Sequence, residues 1–472
     1  MKKHLFIGGD WVEAGAYRPL FSPYSGEPIA EIAFADAAEV DRAIEAAIRA
    51  RPRMARMPAH ERAAILERLA SLIRDKAEEC ARLIAFEAAK PLKTARLEVE
   101  RTITTYKFAA EEAKRIHGET IPMDAAPGGE GRVAYTIHQP LGVVAAITPF
   151  NFPMNLVAHK VGPALAAGNT IVLKPAGQTP LTSLFLAELL QQAGLPAGAL
   201  NVVTGSGSVI GDCLVTDERI KAVTFTGSPE VGMAIRRKAG LKKVTLELGS
   251  NSALIVDQGV DLDAMIPRAV TGAFTFAGQV CISVQRIYVH ERIFDEFVRK
   301  FTEQTAKLEI GDPLDPRTDV SALISPRDAE RALQWIAEAE KLGAIVAAGN
   351  KRDGNIVHPT VLLHVDPKAN LSCKEAFAPV VMINRVSTME EAVAMVNDSS
   401  YGLQAGIYTP ELRTALAAAE ALEVGGVMIN DIPTFRVDHM PYGGVKESGT
   451  GREGVKYAIR ELTEMKLVCF HK

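Results

Sequence analysis

Paired cysteines are missing from this 472-residue chain: Cys80, Cys213, Cys281, Cys373 and Cys469 are scattered, odd in number and without a C-x-x-C. That excludes a disulfide framework and a cysteine-rich zinc site, and it suits a reducing compartment. The segment from Met1 to Asp10 has no apolar run of signal-peptide length, so a soluble cytoplasmic protein with no metal is expected. An excess of one charge is also missing. Fifty-three Lys plus Arg stand against 57 Asp plus Glu, a net charge of −4 that gives no argument for a nucleic-acid partner. Asp, Glu, Lys and Arg are all absent from Val133 to His159, a stretch long enough to cross a bilayer. Pro140, Pro149 and Pro153 interrupt it, and a proline inside a helix costs about 3 kcal/mol. Short strands buried on both faces are expected there, and no membrane partner. No G-x-x-x-x-G-K-[ST] occurs, which excludes a P-loop nucleotidase.

What is present suits a large α/β protein of two or three domains, with 47% hydrophobic residues. Asp36 and Glu39 form a capping-box pattern before Val40, Ala43, Ile44, Ala47 and Ile48 at helical spacing. A longer amphipathic stripe follows through Leu66, Leu69, Ile73, Leu83 and Ile84. Val133–His138 reads as extended after the turn at Pro127–Gly131. Strands are then expected at Val143–Ile147, Thr170–Leu173, Leu200–Val203 and Ala222–Phe225, alternating with helices such as Leu181–Ala193. That rhythm predicts a parallel, doubly wound sheet, whose ligands bind beyond the carboxyl ends of the strands. A second α/β stretch runs from about 253 to 430. Lys466–Phe470 reads as a terminal strand with no partner near it in sequence.

Several residues could carry chemistry. Gly205-Ser-Gly207-Ser-Val-Ile-Gly211 has the wrong spacing for a dinucleotide fingerprint, and a plain strand-to-helix turn accounts for it. Phe225-Thr226-Gly227-Ser228-Pro229 follows a strand and opens a helix, so Ser228 and free N–H groups suit a pyrophosphate or a simple N-cap. Cys281 follows Gly278-Gln279-Val280 and is either a nucleophile or a small core residue. Glu247 lies between apolar neighbours, as a desolvated base or as half of an ion pair with Lys243. Asn151 between Phe150 and Phe152 suits an oxyanion donor or a turn-stabilising amide.

Taken in order, Thr148-Pro149-Phe150-Asn151-Phe152-Pro153, Leu173-Lys174-Pro175, Phe225-Thr226-Gly227-Ser228, Leu246-Glu247-Leu248-Gly249, Gly278-Gln279-Val280-Cys281 and Glu375-Ala376-Phe377-Ala378-Pro379 resemble the motifs of NAD(P)-dependent aldehyde dehydrogenases. Pro441-Tyr442-Gly443-Gly444-Val445-Lys446 and Gly451-Arg452-Glu453 extend the resemblance over essentially the whole chain. Ala110–Thr120 and Phe435–Asp438 look most like lactaldehyde dehydrogenases, with the succinate-semialdehyde and non-phosphorylating glyceraldehyde-phosphate branches close by. The resemblance implies a Rossmann-like cofactor domain (1–118 and 140–247), an α/β catalytic domain (248–446) and a β oligomerisation element (119–139 and 447–472). It implies that Cys281 attacks a small aldehyde, that Asn151 supports the oxyanion, and that Glu247 activates the hydrolytic water. Lys160 and Glu453 would assist proton traffic. NAD or NADP would lie against Thr148, Pro149, Lys174, Gly177, Gly227, Ser228, Gly232, Gly249, Glu375 and Phe377.

Departures from the family pattern carry their own expectations. Gly177 stands where NAD-preferring relatives carry a Glu, so a 2′-phosphate meets less repulsion and NADP is tolerated. Ser250-Asn251, Ala378 and Phe150 replace a common Gly-Lys, Gly and Trp without removing a catalytic group. Arg436, in a loop that lines the substrate entrance in relatives, is either a clamp for an anionic aldehyde or a surface arginine in an ion pair. A coenzyme A-acylating enzyme is a second reading, against which Glu247 speaks. A cysteine hydrolase pairing Cys281 with His159 is a third, and it leaves the cofactor motifs unexplained. The resemblance also implies a homodimer or homotetramer whose tail strand joins a neighbour's sheet, with Glu464, Lys243 and Arg452 bracing the tail.

Overall fold

The computed structural model describes residues 1–472. Four helices dominate the first quarter: α1 (Ala37–Arg56), α2 (Ala59–Asp75), α3 (Ala77–Ala88) and α4 (Leu92–Ala113). The capping box at α1 forms as expected, with Asp36 accepting from Ala38 and Glu39 N–H while Glu39 accepts from Asp36 N–H. The single amphipathic stripe expected from Leu66 to Ile84 is two helices, because the chain leaves helical geometry at Lys76. Leu66, Leu69, Ile73 and Ile84 are buried, but Leu83 is only half-buried.

Five parallel strands then form the centre of the first sheet: β1 (Val143–Ile147), β2 (Thr170–Lys174), β3 (Leu200–Val202), β4 (Ile220–Thr226) and β5 (Lys243–Glu247). Their spatial order is β5-β4-β1-β2-β3, so the chain reverses direction across the sheet between β1 and β4. The uncharged run is core only in its later part: every residue of β1 is buried, but 133–140 belongs to the strand Arg132–Pro140 of a separate three-stranded sheet, which leaves Val133 and Tyr135 exposed. Leu5–Ile7 extends the sheet at one edge and Gly449–Thr450 at the other, both antiparallel. Helices α5 (Asn155–Ala166), α6 (Leu181–Gln192) and α7 (Pro229–Lys238) connect the strands. Pro229 occupies the first turn of α7 behind an N-cap at Ser228, as the sequence suggests.

The second sheet holds six parallel strands: β6 (Ala253–Val256), β7 (Arg286–His290), β8 (Thr360–Leu363), β9 (Val380–Val386), β10 (Gln404–Tyr408) and β11 (Gly426–Ile429). Their order is β8-β9-β7-β6-β10-β11, with Ile345–Ala348 antiparallel beside β8. Helix α8 (Pro326–Lys341) borders the space between the two sheets. No helix is long and apolar enough to cross a membrane.

The tail strand is longer than expected and finds its partner far away in the chain. Thr463–His471 is a nine-residue strand paired antiparallel, over its full length, with Arg132–Pro140 of the same chain. No local pattern points to that partner, because more than 300 residues separate the two. The tail strand lies at the edge of a three-stranded sheet, so its other side is unpaired. Lys243 braces it, donating to Thr463 O at 2.7 Å and pairing with Glu464 at 3.2 Å. Arg452 takes no part in the brace and donates instead to Gly444 and Gly451 carbonyls.

Candidate active site

A cleft of about 780 Å³ opens beyond the carboxyl ends of the first sheet. Strand-to-helix turns supply one wall: Pro149 after β1, and Gly227 and Ser228 between β4 and α7. Gly249, Glu375 and Phe377 line it further in, with Asn151 and Cys281 at its inner end. Thr148, Lys174, Gly177 and Gly232 do not line it. Gly232 is a packing glycine, where a Cβ would run into Leu248. Gly177 is exposed, and a side chain added there would meet open space, while its neighbour Gln178 faces the cleft. The Gly205–Gly211 segment does not line the cleft, and Gly207–Gly211 forms a π-helical turn that leads into a short helix at Asp212–Thr216.

The polar groups on this wall and just behind it suit a dinucleotide. Ser228 caps α7 loosely, accepting from Val231 N–H at 3.5 Å, and the helix N-terminus presents unpaired N–H groups to an anion. The Thr148 and Thr226 hydroxyls are buried at strand ends with no partner, leaving hydrogen-bonding capacity unmet. Lys174 is buried with only the Pro175 carbonyl at 3.3 Å, and burial lowers its pKa. Glu375 accepts from Ser250 N–H at 2.9 Å; burial pushes its carboxyl up to about 7 against that bond. Gly249 passes so close to this carboxyl that a Cβ would collide with it.

The inner end is assembled from distant segments. Phe276 and Ala277 hold left-handed backbone (φ 49° and 52°), and Gly278 follows at 68°. At Gly278 a Cβ would strike the Ala378 carbonyl, so this turn requires glycine. It delivers Cys281, half-buried, to the cleft floor. Asn151 Nδ2 donates to Gln279 O at 2.9 Å, which ties the Asn151 loop to the Cys281 loop. Nδ2 keeps a second hydrogen for another acceptor. Burial and the nearby Glu375 carboxyl push the Cys281 thiol up to about 12, while Arg436 and the Tyr442 hydroxyl work against them.

Glu247 ends β5, almost wholly buried, and neither of its carboxyl oxygens has a hydrogen-bond partner. It makes no ion pair with Lys243, which is taken by the tail. Burial, then repulsion from Glu453, raises its pKa well above the ordinary carboxylate range. Below it runs a chain of buried charges. Lys160 donates to Glu453 Oε1 at 2.9 Å, and Arg436 donates to Glu453 Oε2, also at 2.9 Å. Burial works to raise the Glu453 pKa, but Lys160 and Arg436 outweigh it and hold the carboxyl ionised. Arg436 is no surface residue: its side chain is 7% exposed and its guanidinium lies 3.6 Å over the Tyr442 ring. Its Nε is buried without a partner.

His159 completes the chain, with Nε2 2.8 Å from Asp438 Oδ1, and Asp438 accepts two bonds from Arg101. Cys281 and His159 share no hydrogen bond, so the hydrolase pair weighed from the sequence is not formed. Tyr442, Asp438 and Arg101 had no assigned role in the sequence reading. Their signal there is faint: Asn155 and His159 share one face of α5 at i, i+4, and both reach Asp438.

A half-buried cysteine that follows a left-handed turn and an amide donor, both at the end of a dinucleotide-sized cleft, together with a desolvated carboxyl at the end of β5, fit an oxidoreductase site. Residues 11–468 match the aldehyde dehydrogenase family, and the chain belongs to it. It is 48% identical over 467 residues to 3-sulfolactaldehyde dehydrogenase of Priestia aryabhattai, covering 99% of this chain and 98% of that one. Lactaldehyde dehydrogenase of Methanococcus maripaludis is 41% identical over 471 residues, with 99% and 100% covered. The crystal structure of glyceraldehyde-3-phosphate dehydrogenase GapN from Methanocaldococcus jannaschii, complexed with NADP, superposes with a TM-score of 0.94 at 42% identity. That match covers 97% of this chain and 100% of the other.

Proposed function

We propose that this protein oxidises a small hydroxylated or anionic aldehyde to its carboxylic acid with NAD or NADP. The observation that carries this reading is the Asn151–Gln279 bond, which sets an amide N–H beside Cys281 at the end of the cleft. Cys281 loses its proton and its sulfur attacks the aldehyde carbon, forming a thiohemiacetal. Asn151, with the Cys281 backbone N–H, steadies the oxyanion; one such donor is worth about 10²–10³ in rate. When bound, the nicotinamide supplies acceptance of the hydride whose loss turns the thiohemiacetal into a thioester. Glu247, once ionised, takes a proton from water, and the hydroxide oxygen displaces the sulfur to release the acid. Lys160 and Glu453 hold the charge balance beneath Glu247. Ser228 and the α7 N-terminus would hold the pyrophosphate, Lys174 the adenine ribose, and Glu375 the nicotinamide ribose.

Arg436 supports an anionic substituent on the substrate. It is a buried cation near Cys281 with an unpartnered Nε, and the relatives named for sulfolactaldehyde and glyceraldehyde phosphate act on anionic, hydroxylated aldehydes. The open space at Gly177 leaves room for a 2′-phosphate. Absorbance at ~340 nm, the reduced-nicotinamide signal, tests the reading with either cofactor and with sulfolactaldehyde, lactaldehyde, glyceraldehyde and succinate semialdehyde. Turnover that vanishes in Cys281→Ala is expected; none with any pair contradicts the reading.

The protein is further proposed to work in the cytoplasm as a homodimer or homotetramer, divided at the domain limits given above. Met465, Leu467 and Phe470 on the tail strand are exposed, and the outer edge of β11 is unpaired, so each offers a surface to a second copy. A monomeric mass by light scattering would contradict the assembly.

A further inference from the structure

Lys90 lies outside every motif discussed above, in the link between α3 and α4, and its side chain is fully buried. Its ammonium is paired with Glu98, which is equally buried, on the second turn of α4. The same ammonium lies 3.7 Å over the Phe152 ring and 4.5 Å from the centre of the Phe276 ring. Phe152 is next to Asn151, the oxyanion donor. Phe276 opens the left-handed turn that leads to Cys281. One cation therefore touches both loops of the catalytic floor from behind. Glu98 fixes the first loop a second time, its Oε1 accepting from Met154 N–H at 2.9 Å and Asn155 N–H at 3.1 Å where α5 begins.

A fully buried ion pair is a poor device for stability, because desolvation cancels much of its attraction and apolar substitutes do as well or better. A cation between two aromatic faces does something that an apolar side chain cannot: it attracts both rings at once and so fixes their separation. We propose that Lys90 and Glu98 form a positioning clamp that sets the spacing between the Asn151 loop and the Cys281 loop. The clamp touches neither substrate nor cofactor. It acts by keeping the Asn151 amide aligned with the oxyanion that forms at Cys281, a geometry in which an error of about 1 Å costs on the order of 10²-fold in rate. Its consequence for turnover rests on the aldehyde-oxidation reading given above; the geometric claim does not.

The test compares Lys90→Met with the charge-free pair Lys90→Met/Glu98→Gln. The single variant leaves Glu98 buried without its lysine and is expected to melt earlier than wild type. In the double variant the uncompensated charge is gone, so the melting temperature is expected to return toward wild type. A crystal structure of the double variant reads the clamp directly. The Asn151 Nδ2 to Gln279 O separation is expected to lengthen beyond about 3.5 Å, outside hydrogen-bond range. An unchanged separation in that folded variant overturns the clamp. Steady-state kinetics then read its effect: kcat is expected to fall by about 10²-fold, with KM for the cofactor held. Full recovery of kcat together with melting temperature would make the pair merely structural and overturn the proposal. A wild-type enzyme inactive on every aldehyde would count against the functional reading, and the crystallographic result would still decide the clamp.

Discussion

Along its outer wall the cleft is made of turns: Pro149, Gly227 and Ser228 follow strand ends, and the groups they offer are backbone N–H, a hydroxyl and a helix terminus. At its inner end the cleft rests on side-chain charges brought from three separate stretches, with Lys160, Glu453, Arg436, His159 and Asp438 joined in one buried chain. The outer wall binds by local geometry, which each turn builds on its own. The inner end works through mutual electrostatics, so a change at one residue alters the ionisation of the others. Substitutions should accordingly be graded along the cleft: severe and altered in pH dependence at the inner end, mild and selective for ligand at the outer wall.

The largest effect is expected at Glu247. Glu247→Gln should leave the first turnover, seen as a burst of reduced nicotinamide, while steady-state kcat falls by about 10²-fold or more. The pH profile sharpens the point. Burial and Glu453 raise the Glu247 pKa, so the base is protonated at lower pH and ionises as pH rises. Wild-type kcat, where limited by thioester hydrolysis, should climb with pH on a limb well above the ordinary carboxylate range, and Glu247→Gln should flatten it. A limb at ordinary carboxylate pH would break the contrast between inner end and outer wall.

Arg436→Ala comes next. It removes a cation near Cys281 and leaves Glu453 with Lys160 alone. Activity on anionic aldehydes should fall about tenfold or more beyond any loss on a neutral aldehyde, a difference of ~1.4 kcal/mol in transition-state binding. Equal losses would assign Arg436 to the charge network only. The smallest effect is expected on the outer wall, where Gly177→Glu should weaken NADP severalfold in KM and leave kcat with NAD within about twofold. Loss of activity with both cofactors would show that the wall is as coupled as the floor.

This division also explains what could be read from the sequence. Strands β1, β2 and β4, the N-cap at Ser228 and the first-turn Pro229 are local signals, set by apolar runs, proline and small polar residues, and they were legible. Cys281, Asn151 and Glu247 were legible through short motifs, each ambiguous alone. The partner of the tail strand was not, because nothing in Thr463–His471 points to Arg132–Pro140. The charge chain was equally hidden: Arg436 reads as either a substrate clamp or a surface arginine, and nothing local places it over Tyr442 beside Glu453. Lys90, in the link before α4, and Glu98, on its second turn, are eight residues apart and carry no local pairing signature. Long-range burial, which decides these cases, has no local pattern.

The most direct test of the central claim is the mass of Cys281 in the Glu247→Gln enzyme after mixing with cofactor and an accepted aldehyde. The account predicts a thioester on the peptide containing Cys281, heavier by the aldehyde less two hydrogens. An adduct on Cys373 or Cys469 instead, or turnover without any adduct at Cys281, would contradict it.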